Sequence, residues 1–270
     1  MEIRELIEKL EVKYPFYLQE SWDNSGLQLG NPNKEVKNVL VSLDLEEKGI
    51  EKALANDCNL IITHHPYLFS GAKTIDLSKN FYKRLEMAIK NDLTIYAFHT
   101  NLDIAWGGLN DNLCKILGIE NTGVLENGKE IGLGRYGYIK EKDADDFIKE
   151  IKEVLKAEGL VVYGETDKKI RKIAVCGGAG GELIRDALNK SCDLMLTGDV
   201  RYHDGMDLSN EGIIIVDAGH FASENHVIYM LKDVIEKNID GKVITYSKED
   251  SFRKFFWFVY FKLWGKIKLE

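Results

Sequence analysis

Ala53-Leu54-Ala55-Asn56-Asp57-Cys58-Asn59-Leu60-Ile61-Ile62-Thr63 aligns without a gap on Ala187-Leu188-Asn189-Lys190-Ser191-Cys192-Asp193-Leu194-Met195-Leu196-Thr197. Each stretch reads as the end of a helix, a cysteine, a short apolar strand and a threonine. Outward from the first copy, the pattern predicts a strand over 38–43, a helix over about 46–56, a strand over 59–63, a helix over about 81–90 and a strand over 93–98. Around the second copy it predicts strands over 172–176 and 212–217, with an amphipathic helix upstream over 143–157. Apolar strands alternating with helices argue for parallel βαβ units, so the fold class expected is α/β, and the repeat makes it two related α/β lobes with internal pseudo-symmetry. A first helix carries Ile3, Leu6, Ile7 and Leu10 at helical spacing and stops at Tyr14-Pro15. The segment 118–137 holds six glycines and reads as the crossover between lobes. The expected division is 1–122 plus about 218–248 for the first lobe, 123–217 for the second, and an aromatic and basic tail over 249–270.

A chain of 270 residues, 44% hydrophobic and 30% charged with 3 prolines, has the composition of a folded globular protein. Its net charge of −8 repels phosphate backbones and disfavours general nucleic-acid binding. Cys58, Cys114, Cys176 and Cys192 form no CxxC pair and sit in apolar stretches, as reduced, buried thiols do. The charged N-terminus lacks the apolar core of a signal peptide, and a cytoplasmic location is expected.

His64, His65, His99 and His220 all fall just beyond the C-terminal ends of predicted strands, the edge at which open α/β sheets bind ligands. Adjacent imidazoles in Thr63-His64-His65-Pro66 point in different directions, which suits two ions a few ångströms apart better than one. Two dications repel each other and need anionic ligands between them. Asp103 and Glu224, each four residues after a histidine, supply that charge, and a helix beginning in between would put His220 and Glu224 on one face. Imidazole with carboxylate suits zinc, iron or manganese. His203 and His226 are weaker candidates. Asp199 stands where His65 stands in the first copy, fitting it to support a ligand or transfer a proton. Gly177-Gly178-Ala179-Gly180-Gly181 reads either as a phosphate-cradling turn or as a plain tight turn.

Five segments resemble the NIF-three-like dinuclear metal-centre family, whose members carry the label of GTP cyclohydrolase 1 type 2 homologues. They are Trp22-Asp23-Asn24-Ser25-Gly26-Leu27, Ile62-Thr63-His64-His65-Pro66, His99-Thr100-Asn101-Leu102-Asp103, Thr197-Gly198-Asp199 and Gly219-His220-Phe221-Ala222-Ser223-Glu224. The resemblance implies that His64, His65, Asp103, His220 and Glu224 bind two divalent metal ions per chain in the cleft between the lobes. The expected allocation is His65 and Asp103 on one ion, His64 and His220 on the other, and Glu224 bridging. His99 and Asp199 are then expected to assist proton transfer in a metal-dependent hydrolysis of a nucleotide or phosphate-containing small molecule. The alternative is a metal-stabilised scaffold for a protein partner. The resemblance also implies a homohexamer, a trimer of dimers. The tail over 249–270 departs from the family pattern and reads as a packed element at a subunit contact in preference to a membrane-interface segment.

Overall fold

The computed structural model describes residues 1–247, so the expectations for the tail over 249–270 lie outside the described residues. In chain order the first part runs α1 (Ile3–Lys13), β1 (Gly26–Leu29), β2 (Asn38–Ser42), α2 (Glu47–Ala55), β3 (Cys58–Thr63), α3 (Asn80–Lys90), β4 (Thr94–Ala97), α4 (Thr100–Ile104) and α5 (Leu109–Ile116). There follow β5 (Glu120–Val124), β6 (Arg135–Asp143), α6 (Ala144–Leu155), β7 (Val161–Tyr163), β8 (Lys169–Val175), α7 (Ile184–Asn189), β9 (Leu194–Thr197), α8 (Tyr202–Ser209) and β10 (Ile214–Asp217). The chain then forms α9 (His220–Glu224), α10 (Val227–Glu236) and β11 (Val243–Tyr246).

One sheet has the order β1-β4-β3-β2-β11, the other β5-β6-β8-β9-β10-β7. In the first, β11, β2, β3 and β4 are parallel and β1 closes the edge antiparallel. In the second, β8, β9 and β10 are parallel, while β5, β6 and β7 are antiparallel. β11 returns to pair with β2, so the second sheet lies between two chain segments of the first. The duplicated stretches end in register: Ser42 opposes Thr63 and Thr63 opposes Ala97, as Thr197 opposes Asp217.

Alternation along the strands explains the layering. Val39, Val41, Leu60 and Ile62 face α1 and α10, where Ile3, Leu6, Leu10, Leu231 and Ile235 are buried. Leu40, Ile61 and Ile95 face the other way, onto Ile50 and Ala53 of α2 and Ala88 of α3. The second sheet packs Ile173, Leu194 and Ile214 on Phe147 and Ile151 of α6, and Ala174, Met195 and Ile215 on Ile184 and Ala187 of α7.

The glycine-rich segment is not a loose crossover. It contains β5 and leads into β6, because Gly123 lies against the Tyr136 ring and Gly137 against the Glu120 carbonyl, where any Cβ would stand 2.9 Å and 2.6 Å away respectively. These glycines permit close strand pairing. Arg135, at the start of β6, is fully buried and ties the two sheets together. Its guanidinium bonds Asp111, the carbonyls of Gly132 and Gly134, and the carbonyls of Ile104 and Ala105 at the end of α4. The four cysteines are buried and free of disulfides, and burial raises the thiols of Cys58 and Cys192 to about 11.

Candidate metal centre

The C-terminal ends of β2, β3 and β4 bring Asp44, His64, His65 and His99 to one sheet edge, and α4 and α9 lower Asp103, His220 and Glu224 onto it. Both helices begin at or one residue after a histidine and are five residues long, so each histidine and its carboxylate four residues later fall on one face. His220 Nε2 accordingly lies 3.0 Å from Glu224 Oε2.

Every histidine here has its Nδ1 tied down and its Nε2 left for the site. His64 Nδ1 donates to the Phe98 carbonyl at 2.8 Å, and His65 Nδ1 to Asp44 at 2.8 Å. His220 Nδ1 donates to Asp199 at 2.8 Å, and His99 Nδ1 to Asp23 at 2.6 Å. Such partners fix the tautomer and aim of a ligating imidazole. Asp199, expected to support a ligand or assist proton transfer, thus lies behind the His220 ring, on the side away from Glu224. It holds a left-handed φ of 52°, a conformation rare for a residue with a side chain.

The facing atoms gather around Glu224. His64 Nε2 is 3.6 Å from Asp103 Oδ1 and 3.7 Å from Glu224 Oε1. His65 Nε2 and His220 Nε2 are 3.3 Å apart and each is 3.0 Å from Glu224 Oε2. His64 Nε2 thus faces Asp103 and one oxygen of Glu224, while His65 and His220 face each other and the other oxygen; sequence adjacency could not show which way each ring turns. His99 joins His64 and His65, each offering a ligand atom within 4.8 Å of the others, which puts it beside the cluster as expected from its place at a strand end.

Charge in the cluster is strongly displaced. Burial and the neighbouring Glu224 raise the Asp103 carboxyl well above the usual range. Glu224 is held well below it, because His65, His220 and His64 outweigh the burial that pushes it up. Burial disfavours the cation on His65 and His220, yet Glu224 and the Nδ1 partners drive them up to about 10 and about 9. Burial depresses His64. The Glu224 carboxylate thus demands positive charge beside it, and its own charge disfavours a second anion at Asp103.

A divalent ion fits that demand. His64 Nε2 and Asp103 Oδ1 are both buried without a hydrogen-bond partner and face each other. Ligand atoms about 2.0–2.2 Å from a tetrahedral ion stand about 3.3–3.6 Å apart; His64 Nε2 and Asp103 Oδ1 at 3.6 Å and His65 Nε2 and His220 Nε2 at 3.3 Å have that spacing, while the two contacts to Glu224 Oε2 at 3.0 Å are shorter. Gly178 walls the site, since a Cβ there would lie 2.2 Å from Glu224 Oε1. The turn it belongs to directs three of its N–H groups into the protein itself. The N–H groups of Gly177, Gly178 and Gly180 donate to Asn110, Ser223 and Thr197. His226 is set apart, held between Asn112 and the Ser223 carbonyl. His203 lies in α8, in neither of the possible metal groups found among the described residues.

The pattern of Duf34/NIF3 (NGG1p interacting factor 3) matches residues 1–251. The chain belongs to this family. A relative from Clostridium perfringens, named GTP cyclohydrolase 1 type 2 homolog, is 34% identical over 247 residues, covering 90% of this chain and 94% of its own. Another with that name, from Streptococcus pneumoniae, is 36% identical over 222 residues, covering 80% and 84%. Among solved structures, the Bacillus cereus protein related to NIF3 superposes with a TM-score of 0.88 at 27% identity, covering 95% of this chain and 99% of that one. Reduced HcgD from Methanocaldococcus jannaschii superposes at 0.78 with 32% identity, covering 91% and 97%.

Sequence reasoning missed Asp44 and left Asp23 inside a motif without a role. Asp44 lies two residues past the end of β2, where the rule that singled out the histidines also applies. Asp23 gave no signal beyond a turn-rich stretch, because its contacts with His99 and Thr100 cross more than 70 residues of chain.

Proposed function

We propose that this NIF3-family chain is a metal-dependent hydrolase holding two divalent transition-metal ions, zinc, iron or manganese, and acting on a nucleotide or another phosphate-containing small molecule. The observation that carries the reading is the pair of buried, unpartnered atoms His64 Nε2 and Asp103 Oδ1, which converge with Glu224 Oε1 and bond nothing else. The distances support His64 and Asp103 as one ligand pair, His65 and His220 as the other, and Glu224 as the bridge, one oxygen turned toward each. When bound, two such ions supply an acidified water and positive charge for phosphate oxygens.

The protein's own groups do the rest. Phe98 O, Asp44 and Asp199 keep the Nδ1 protons and so hold the Nε2 lone pairs toward the cluster. His99, with its Nδ1 proton on the buried Asp23, has Nε2 free to take a proton, and Asp23 stabilises the imidazolium that results. Asp199 acts through His220. The curated relatives' name supports a nucleotide as substrate.

The test is a screen of GTP, other nucleotides and model phosphate esters against metal-loaded and chelated protein. A metal-dependent product that disappears in His99→Ala at unchanged metal content supports the reading. No product across the panel, with metal bound, favours a metal-stabilised scaffold for a protein partner, which the family's description as an interacting factor supports. A cytoplasmic hexamer belongs to the same proposal, and light scattering should give a mass near six times 30.7 kDa. No helix among the described residues is long and apolar enough to cross a membrane.

A further inference from the structure

Two large aromatic side chains stand open beside the cluster. Trp22 is 57% exposed and Phe69 48%, and their ring centroids are 6.0 Å apart with planes tilted by 54°. The tilt means that they do not use their flat faces on each other. Each also lies close to the His99 ring, at 6.2 Å and 6.3 Å, in edge contact. His99 in turn is 5.3 Å from the His64 ring and 5.6 Å from the His65 ring. One imidazole therefore separates the aromatic pair from the ligand set.

The segments that carry the pair are tied to each other and to α4. On one side of Trp22, Glu20 N–H donates to Thr100 Oγ1; on the other, Asp23 accepts from His99, Thr100 and Ser25. The turn leading to Phe69 is fastened to the same segment, with Asn24 Nδ2 donating to the Leu68 carbonyl and Leu68 N–H to Gln28 Oε1. Exposed aromatics on segments fastened by hydrogen bonds are a pre-organised surface, and such a surface loses little entropy on binding a flat ligand.

We infer that Trp22 and Phe69 form a stacking subsite for a planar heteroaromatic ring of the substrate, with His99 as the shared wall between that ring and the reacting end. This rests on the reading of the His64, His65, Asp103, His220 and Glu224 cluster as the reaction centre. It adds the class of the non-reacting part: an aromatic base joined to an anionic group, in place of a simple sugar phosphate. Stacking is tolerant of base identity, so the subsite selects for a ring and not for one base.

Guanosine 5′-phosphate and ribose 5-phosphate differ by the base alone, and their calorimetric binding to the full-length, metal-loaded protein tests the inference. Wild type should bind the guanosine compound about tenfold or more tightly. Trp22→Leu should abolish that preference without weakening ribose 5-phosphate, and Trp22→Phe should keep part of it. Phe69→Leu gives the same readout should Trp22→Leu fail to fold. Equal binding of the two compounds by wild type that carries its metal overturns the subsite and leaves the hydrolase reading standing. A base preference in protein that carries no metal upholds the subsite and removes the hydrolase reading. If Trp22→Leu keeps the preference but changes the mass seen by light scattering, the pair is a contact between copies of the chain, and the inference is overturned.

Discussion

Replacing Asp23 by asparagine preserves shape while removing a buried charge and one acceptor atom. Asp23 Oδ1 accepts from His99 Nδ1 at 2.6 Å and from Asn24 N–H at 2.7 Å. Its Oδ2 accepts from Thr100 N–H at 3.1 Å, Thr100 Oγ1 at 2.5 Å and Ser25 Oγ at 2.7 Å. An amide NH₂ on the first side opposes the Asn24 N–H and forces His99 into its other tautomer; on the second it opposes the Thr100 N–H. Either way about two hydrogen bonds to a charged acceptor are lost, at roughly 1.5–3 kcal/mol each, and relief from burying a carboxylate offsets part. The expected loss is on the order of 3 kcal/mol, read as a lower urea midpoint at unchanged slope in chelator at neutral pH. Burial pushes the Asp23 carboxyl up, but hydrogen bonds from His99 and Thr100 outweigh it and hold the group well below the usual range. The unfolded chain takes up that proton near pH 3.9, so the stabilisation is whole above this value and is lost as pH falls toward the folded one. Wild type should therefore weaken more steeply than Asp23→Asn on acidification below about pH 4. A midpoint shift worth less than about 0.5 kcal/mol, or identical acid slopes, would refute the reasoning.

Arg135→Met strips the cation from Asp111 and from four carbonyls and should cost about 3–5 kcal/mol by chemical denaturation, with Arg135→Lys restoring little because an ammonium cannot reproduce the fork. Asp44→Ala and Asp199→Ala free the Nδ1 of His65 and of His220 and should weaken metal affinity about 10–100-fold in competition with a chromophoric chelator. His226 is pushed down to about 4 by burial, so below about pH 6.5 the unfolded chain takes up its proton first and stability falls by on the order of 3 kcal/mol by pH 4. His226→Gln should flatten that decline in pH-dependent unfolding curves.

The repeated helix, strand and threonine units were legible because β3 and β9 are buried on both faces, and a strand so placed is written as an uninterrupted apolar run. β1, at an edge, is only four residues long and buries Gly26 and Gln28 while exposing Leu27, the reverse of the usual polarity, so with Gly30 behind it the stretch reads as turn. β5 has no fully buried residue and carries a glycine, so composition made it a linker when pairing with β6 made it a strand. At the site, strand ends and the four-residue interval are local facts, so spacing drew attention to His64, His65, His99, Asp103, His220 and Glu224, and the resemblance to a family narrowed them to five. The direction each ring faces was not local. It depends on His64 turning to Phe98 O and His65 to Asp44, which only the assembled sheet brings near.

Elemental analysis of the purified, dialysed protein tests the central claim most directly. Two transition-metal ions per chain are predicted for wild type, with content at both positions falling in Glu224→Ala, because that carboxylate touches both ligand pairs, and mainly one lost in His65→Ala. Wild-type protein without bound metal, or Glu224→Ala with its full complement, would contradict it.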